Sequence, residues 1–282
     1  MIFFLVLLYT FFNSIFAFHT PPIPFNNWHC IDFTKNIQKS KPLQYNIGDL
    51  NLITYFDKEN KPYTFETINN ELFGNTILFQ DKLWWTYDSG KNLPPTFYYH
   101  NKHFDKSYIK LNIKVDLIKC ISNIMNINHP TNIHNNLFGL NNNISPSNIH
   151  SSFSHDSYTI SYSYIDNIKL LRTKNIIKFE YPYTIWSRVI LPTNEKLCIQ
   201  INLLPLHKNE TKLLISIYHN FWKSSLEKRF KNCITDLFTF KNSYYKPFIK
   251  SDSQIINSIF DKYNYPDLLQ VEHLYKYHLL NK

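Results

Sequence analysis

Hydrophobic residues alternate with polar ones along most of this chain, and the period is two. In "SYTISYSYID" the side chains of Tyr158, Ile160, Tyr162 and Tyr164 fall on one side, with Ser and Thr on the other. That alternation predicts a half-buried antiparallel strand. "KPLQYNIGDLNLITYFDKENKPYTF" predicts two short strands around Gly48-Asp49, with a polar turn at Asp57–Lys61. "TILFQDKLWWTYDSG" predicts a strand pair turning at Gln80-Asp81, and "KLCIQINLLPLHKNETKLLISIYHNFW" a hairpin turning at His207–Lys212. "NLPPTFYYH" reads as an extended connection, because Pro94-Pro95 cannot continue a helix or a central strand. A further β run covers Tyr108–Val115, and "IKFEYPYTIWSRVIL" adds to the sheet.

The period changes to 3.6 in two places. Leu117, Ile121, Ile124 and Met125 share a face over residues 117–129, and Pro130 disfavours helix at His129, so the helix ends or kinks there. "NNLFGLNNNISPSNIHSS" reads as loop. Near the C-terminus Ser251 and Gln254 form an S-x-x-Q capping box ahead of Ile255, Ile256, Ile259 and Phe260, and Pro266 starts a second helix. The expected class is therefore α+β: a small β-rich part, a helix, a curved antiparallel sheet and closing helices.

The first eighteen residues, "MIFFLVLLYTFFNSIFAF", are apolar apart from Thr10, Asn13 and Ser14. A cleaved signal peptide or a membrane anchor is expected over 1–18, placing the protein in an exported or membrane-associated setting, with a plastid as one destination. The net charge of +9 is spread without a run of Lys and Arg, and no nucleic-acid-binding module is present, so no nucleic-acid partner is expected. Cys30, Cys120, Cys198 and Cys233 stand far apart, and no C-x-x-C, C-x-H or C-x-x-H occurs. Zinc knuckles and local redox pairs are thereby excluded.

One segment carries candidate chemistry: "NIMNINHPTNIHNNLFG", residues 123–139. Asn126 and His129 share a face of a continued helix, whereas His129 and His134 diverge by roughly 140° around its axis. The two imidazoles converge only if the chain leaves the helix between them, and Pro130 supplies the break. Two imidazoles and a carboxylate with open positions opposite make the facial site of non-haem Fe(II) oxygenases, although His-x4-His alone is equally a pair of core or surface histidines.

The segment resembles the iron site of Rieske-type non-haem iron oxygenases, Asn-x-x-Asp-x-x-His-x4-His, which falls on Asn123, Asn126, His129 and His134. "IPFNNWHCIDFTKNIQKSKPLQYNIGDLNLITYFD", "FEYPYTIWSRVILP" and "IKSDSQIINSIFDKYNYPDLLQVEHLYKYHL" are similar, in order, to the family's opening, catalytic sheet and C-terminal helices. The resemblance leans toward pheophorbide a oxygenase and chlorophyllide a oxygenase. It implies a helix-grip (START-like) catalytic domain over 101–282, preceded by a reduced β-rich remnant of a Rieske domain over 24–100. It also implies a mononuclear Fe(II) held by His129, His134 and Asp252, although Asp252 equally suits the first turn of a capped helix.

Two departures stand out. The cluster-binding segment is missing between "KPYTF" and "TILFQDKLWW", so the chain carries no 2Fe-2S ligands. Asn126 replaces the family's bridging catalytic Asp, and an amide cannot carry its charge. The expected function is a non-haem iron oxygenase acting on an apolar, ring-containing substrate, a tetrapyrrole among the candidates. Its electrons would come from a separate donor or a cluster-bearing homologue in a homo- or hetero-trimer. The alternative is an inactive binding module or a regulatory partner of an active oxygenase.

Overall fold

The computed structural model describes residues 26–220 except 69–70, 88–92, 101–103, 128–145, 155, 167–170, 191–193, 195 and 208. These residues form thirteen strands and one α-helix. Six strands come first: β1 (His29–Phe33), β2 (Leu43–Ile47), β3 (Leu50–Phe56), β4 (Pro62–Glu66), β5 (Asn75–Phe79) and β6 (Lys82–Thr86). They make two three-stranded sheets, in the orders β1-β6-β5 and β2-β3-β4. Strand β7 (Asp105–Ile113) leads into α1 (Leu117–Met125). Then follow β8 (Ser147–Ser154), β9 (Ser157–Asp166), β10 (Leu171–Glu180), β11 (Thr184–Ile190), β12 (Lys196–His207) and β13 (Glu210–His219).

Strands β7 to β13 build one seven-stranded antiparallel sheet in the order β7-β13-β12-β11-β10-β9-β8. Strand β13 buries both of its faces, which is why "TKLLISIY" reads as a nearly continuous apolar run. One face of the sheet packs on α1 through Tyr158, Phe179, Ile185, Leu203 and Ile215, which share a core with Leu117, Ile121 and Met125. The opposite face meets the small sheets, where Leu204 joins Ile31, Ile47 and Trp85, and Leu214 joins Cys30 and Trp84. The two small sheets are tied by a chain of buried hydroxyls. Tyr45 bonds Thr54 (3.1 Å), Thr54 bonds Thr64 (2.6 Å), and Thr64 bonds Thr76 on β5 (2.6 Å).

The α+β expectation is corrected by this architecture. The described residues are mainly antiparallel β, with a single nine-residue helix, so the helix-grip class with its closing helices does not describe them. Two local readings contribute to the difference. Residues 147–152, expected as loop, belong to the edge strand Ser147–Ser154 that pairs with β9. The helix expected over 117–129 stops at Met125. The C-terminal helices on which the class leaned lie outside the described residues.

The expected setting is corrected too. Among the described residues no helix is long and apolar enough to cross a membrane. The exported or membrane-associated assignment, and the plastid route with it, therefore has no spanning helix behind it and is withdrawn. The apolar residues 1–18 lie outside the described residues.

Beyond β6 the chain is anchored at Phe97, and residues 98–100 turn, the His100 N–H donating to the Phe97 carbonyl at 3.1 Å. The Gln80 side chain pairs with the Phe97 backbone like a short strand: Phe97 N–H donates to Oε1 (2.7 Å) and Nε2 donates to the Phe97 carbonyl (3.3 Å). The Phe97 ring stacks on Trp186 at 4.9 Å and lies 4.5 Å from Tyr218.

Candidate functional site

Helix α1 delivers the chain to the candidate metal segment. Asp116 caps it, its carboxylate accepting from the Lys119 N–H (2.9 Å). Leu117, Cys120, Ile121 and Met125 form the buried face, with Ile124 partly buried against the same core. At Asn126 the backbone turns extended (φ −69°, ψ 107°) and its N–H reaches back to the Asn123 carbonyl at 3.4 Å. This three-residue contact replaces the four-residue helical bond, so the helix closes as a tightened turn. Asn126 and His129 therefore do not ride one continuous helix, and the break comes four residues ahead of Pro130.

The exit is fixed from the sheet. The Tyr164 hydroxyl of β9 donates to the carbonyl of Ile127, the residue after Asn126. Both ends of this bond are buried, with Tyr164 2% and Ile127 3% exposed. The Tyr162 ring meets the Tyr164 ring edge-on at 5.4 Å. Burial pushes the Tyr162 hydroxyl above the ordinary tyrosine range, and its hydrogen bond with Tyr164 opposes the shift. The Tyr162 phenol is neutral at physiological pH.

Around this exit the helix-facing side of β9 and β10 changes character along its length. Tyr158 pairs with Phe179 and Ile160 with Ile177, which is apolar wall; Tyr162 pairs with Asn175 and Tyr164 with Thr173. The buried Asn175 and Thr173 thus put polar groups at the end where the chain leaves α1. Of the aromatic residues of this sheet, Tyr158, Tyr162, Tyr164 and Phe179 belong to this face. Trp186 does not: it lies on the opposite face, stacked on Phe97 and donating its indole N–H to Glu180 (2.6 Å).

Of the sequence-derived site residues, Asn126 lies at the helix exit, half-buried. His129, His134 and Asp252 lie outside the described residues. Among the described residues no group of three or more His, Cys, Asp or Glu is placed to hold a metal ion. The described cysteines are buried and free. Burial pushes the Cys30 thiol up to about 12 and Cys198 up to about 11, so neither offers a thiolate.

Sequence reasoning missed a second polar cluster, where the small sheets meet the large one. Asp32 on β1 accepts from Lys110 on β7 and lies 3.6 Å from the Lys212 ammonium on β13. It also accepts from the Phe33 N–H (2.8 Å) and Asn36 (3.0 Å). Lys212 donates as well to the Ile31 carbonyl at 2.8 Å. Burial alone would raise the Asp32 pKa, but the Lys110 hydrogen bond and the Lys212 charge outweigh it and hold the carboxyl below its ordinary value. Lys82 on β6 is 1% exposed and donates to Gln200 on β12; burial lowers its ammonium to about 8. The signal was available in "DKLWW" and "TKLLIS", where a lysine interrupts an apolar run at an inward position.

With this geometry in view, comparison with solved structures shows what the fold is similar to. The fold is that of the Rieske-type non-haem iron oxygenases. Dicamba monooxygenase bound to dicamba matches with a TM-score of 0.66 at 9% identity, over 91% of this chain and 98% of that one. NdmA of Pseudomonas putida CBB5 with caffeine matches with a TM-score of 0.61 at 13% identity, over 81% and 82% of the two chains. No protein-family model matches the sequence, and no curated protein matches it.

Proposed function

We propose that this chain is a mononuclear non-haem iron oxygenase acting on an apolar, ring-containing substrate. The observation that carries the reading is the coincidence of an oxygenase-type fold with an Asn-x-x-Asn-x-x-His-x4-His sequence that begins in α1. The donor set suits a ferrous ion, since two neutral imidazoles from His129 and His134 and the Asp252 carboxylate leave positions open. When bound, such an ion supplies dioxygen activation. Residues 24–100 are then a reduced remnant of a cluster-binding domain, and residues 101–282 the catalytic-type domain.

The chain's own residues supply the setting. Tyr158, Phe179, Ile160 and Ile177 are packed core against α1, and Tyr162, Asn175 and Thr173 put hydroxyl and amide groups at the exit of α1, where they would orient a polar substituent. Dicamba and caffeine, named with the matching oxygenases, are both ring compounds. The subgroup resemblance adds tetrapyrroles to the substrate candidates. The net reaction inserts one oxygen atom into a C–H bond, and the other leaves as water with two protons. Two electrons must come from outside the chain, because no cluster ligands are present in the sequence. A separate cluster protein, or a cluster-bearing homologue in a mixed trimer, fills that role.

The test is product formation under labelled dioxygen with a reduced ferredoxin-type donor and a panel of apolar ring compounds. Incorporation of one labelled atom, lost in His129→Ala, supports the reading. Tight substrate binding with neither dioxygen uptake nor product overturns it. That outcome favours a second reading, an inactive binding module or regulatory partner. The neutral amide of Asn126 supports this second reading, since it cannot hold an adjacent imidazole as a carboxylate does.

A further inference from the structure

We propose that strand β8 is a docking edge at which a second copy of this chain extends the seven-stranded sheet. The strand ends the sheet order, so one side of its backbone pairs with β9 and the other faces outward. A sheet edge is a row of N–H and C=O groups ready to pair, and proteins guard such edges with lysines, prolines or covering elements. The opposite edge of this sheet is guarded in that way: β7 carries the exposed Lys106 and Lys110, and the exposed Lys114 stands just beyond it. Strand β8, "SNIHSSFS", holds no Lys, Arg, carboxylate or proline. Its one interruption comes at the start, where Asn148 has φ +50° and the register to β9 slips by one residue between Ser147 and His150. From His150 to Ser154 the ladder is regular.

Phe153 stands opposite Tyr158 and Ser151 opposite Ile160, on the helix-facing side of the sheet, and Ile149 continues that alternation. Here the apolar surface outruns its cover: Tyr158 and Ile160 are fully buried, whereas Phe153 is 54% and Ile149 46% exposed. The occupant follows from the strand's own symmetry. Two copies of one strand pair antiparallel about a two-fold axis, each residue meeting the one equally far from the axis in its partner. With Ser151 on the axis, Phe153 meets the partner's Ile149, and Ile149 meets the partner's Phe153. Both exposed apolar side chains are then covered at once, as two cross-strand pairs. No charged side chain is set against its own copy, which matters for a chain of net charge +9 whose copies repel elsewhere. An eight-residue edge is a small interface, so the dimer is concentration-dependent rather than obligate. The edge involves β8 and β9 alone, and its pairing does not depend on whether the chain binds iron.

The experiment is sedimentation velocity of the full chain over a wide range of concentrations, for wild type, Phe153→Lys and Leu93→Lys. The last replaces an apolar residue, 67% exposed, away from the edge. The expected result is a reversible dimer in wild type and in Leu93→Lys, with the dissociation constant raised at least about 10-fold in Phe153→Lys. A second arm reads the register. On the axis, Ser151 lies about 4.5–5.5 Å from its own copy between Cα atoms, within the range a disulfide spans, whereas Ser152 faces the partner's His150. Under a mild oxidant Ser151→Cys is expected to form covalent dimers faster than Ser152→Cys. A wild type that stays monomeric throughout overturns the proposal. So does association, as dimer or trimer, that Phe153→Lys leaves unchanged, or a dimer in which Ser151→Cys cross-links no faster than Ser152→Cys. Should Phe153→Lys fail to fold, the cysteine pair decides alone.

Discussion

Replacing Asp32 with asparagine keeps the shape and the acceptor for the Phe33 N–H but removes the charge that faces two lysines. Lys110 is partly solvated and keeps water as a partner. Lys212 is 9% exposed at its side chain and retains only the neutral Ile31 carbonyl at 2.8 Å. Breaking a buried pair from one side costs about 3–5 kcal/mol, because the remaining charge stays desolvated. In a domain of this size that corresponds to a fall of roughly 6–20 °C in midpoint. The assay is urea unfolding followed by tryptophan fluorescence, since Trp84 and Trp85 sit on β6 beside β1. The second arm is the double variant Asp32→Asn/Lys212→Met, which removes the stranded charge. It is expected to be less destabilised than the sum of the single changes by on the order of 1–3 kcal/mol. The pH dependence has a definite sign. A carboxyl held below its unfolded value stabilises the fold above that value, and the contribution is lost as pH falls through the folded pKa. A single variant within about 1 kcal/mol of wild type and an additive cycle would refute the buried pairing as a stabilising joint.

Two more outcomes follow from the same physics. Lys82 titrates near 8 when folded against 10.5 in the unfolded chain, so the unfolded state holds the proton longer as pH rises. Relative to Lys82→Met, wild-type stability should climb from pH 8 upward by at most about 3 kcal/mol, at roughly 1.4 kcal/mol per pKa unit; a flat difference curve in denaturant melts contradicts it. Gly74 has φ +71°, and a Cβ there would lie 2.2 Å from the Thr86 carbonyl oxygen and 2.8 Å from the Trp85 indole nitrogen. Gly74→Ala should lose more than about 2 kcal/mol in the same melts, and a loss under 1 kcal/mol would show that β5 and β6 part easily.

Much of the sheet was legible because alternation survives translation into three dimensions. The hairpins around Gly48, Gln80 and His207 fall where the turn residues put them, and the tyrosines of β9 share a buried face. Strand β8 was not legible. Its residues 147–154 are exposed edge, so no apolar pattern marks them, and pairing with β9 alone makes them a strand. The end of α1 was misjudged for a different reason. The helix ends at Met125, and two residues on the Ile127 carbonyl is held by the Tyr164 hydroxyl from a strand 37 residues away, which no local window contains. The buried lysines went unread because their partners come from other strands. All four site residues were named from the family resemblance, and the structure describes one of them, Asn126, at the turn that ends α1.

The central claim is that His129, His134 and Asp252 share one ferrous ion. Equilibrium binding of Fe(II) under anaerobic conditions tests it most directly, by stoichiometry and affinity in wild type and in His129→Ala, His134→Ala and Asp252→Ala. One iron per chain in wild type, with affinity falling sharply in each variant, is the predicted result. No uptake by wild type, or uptake that all three substitutions leave unchanged, contradicts it.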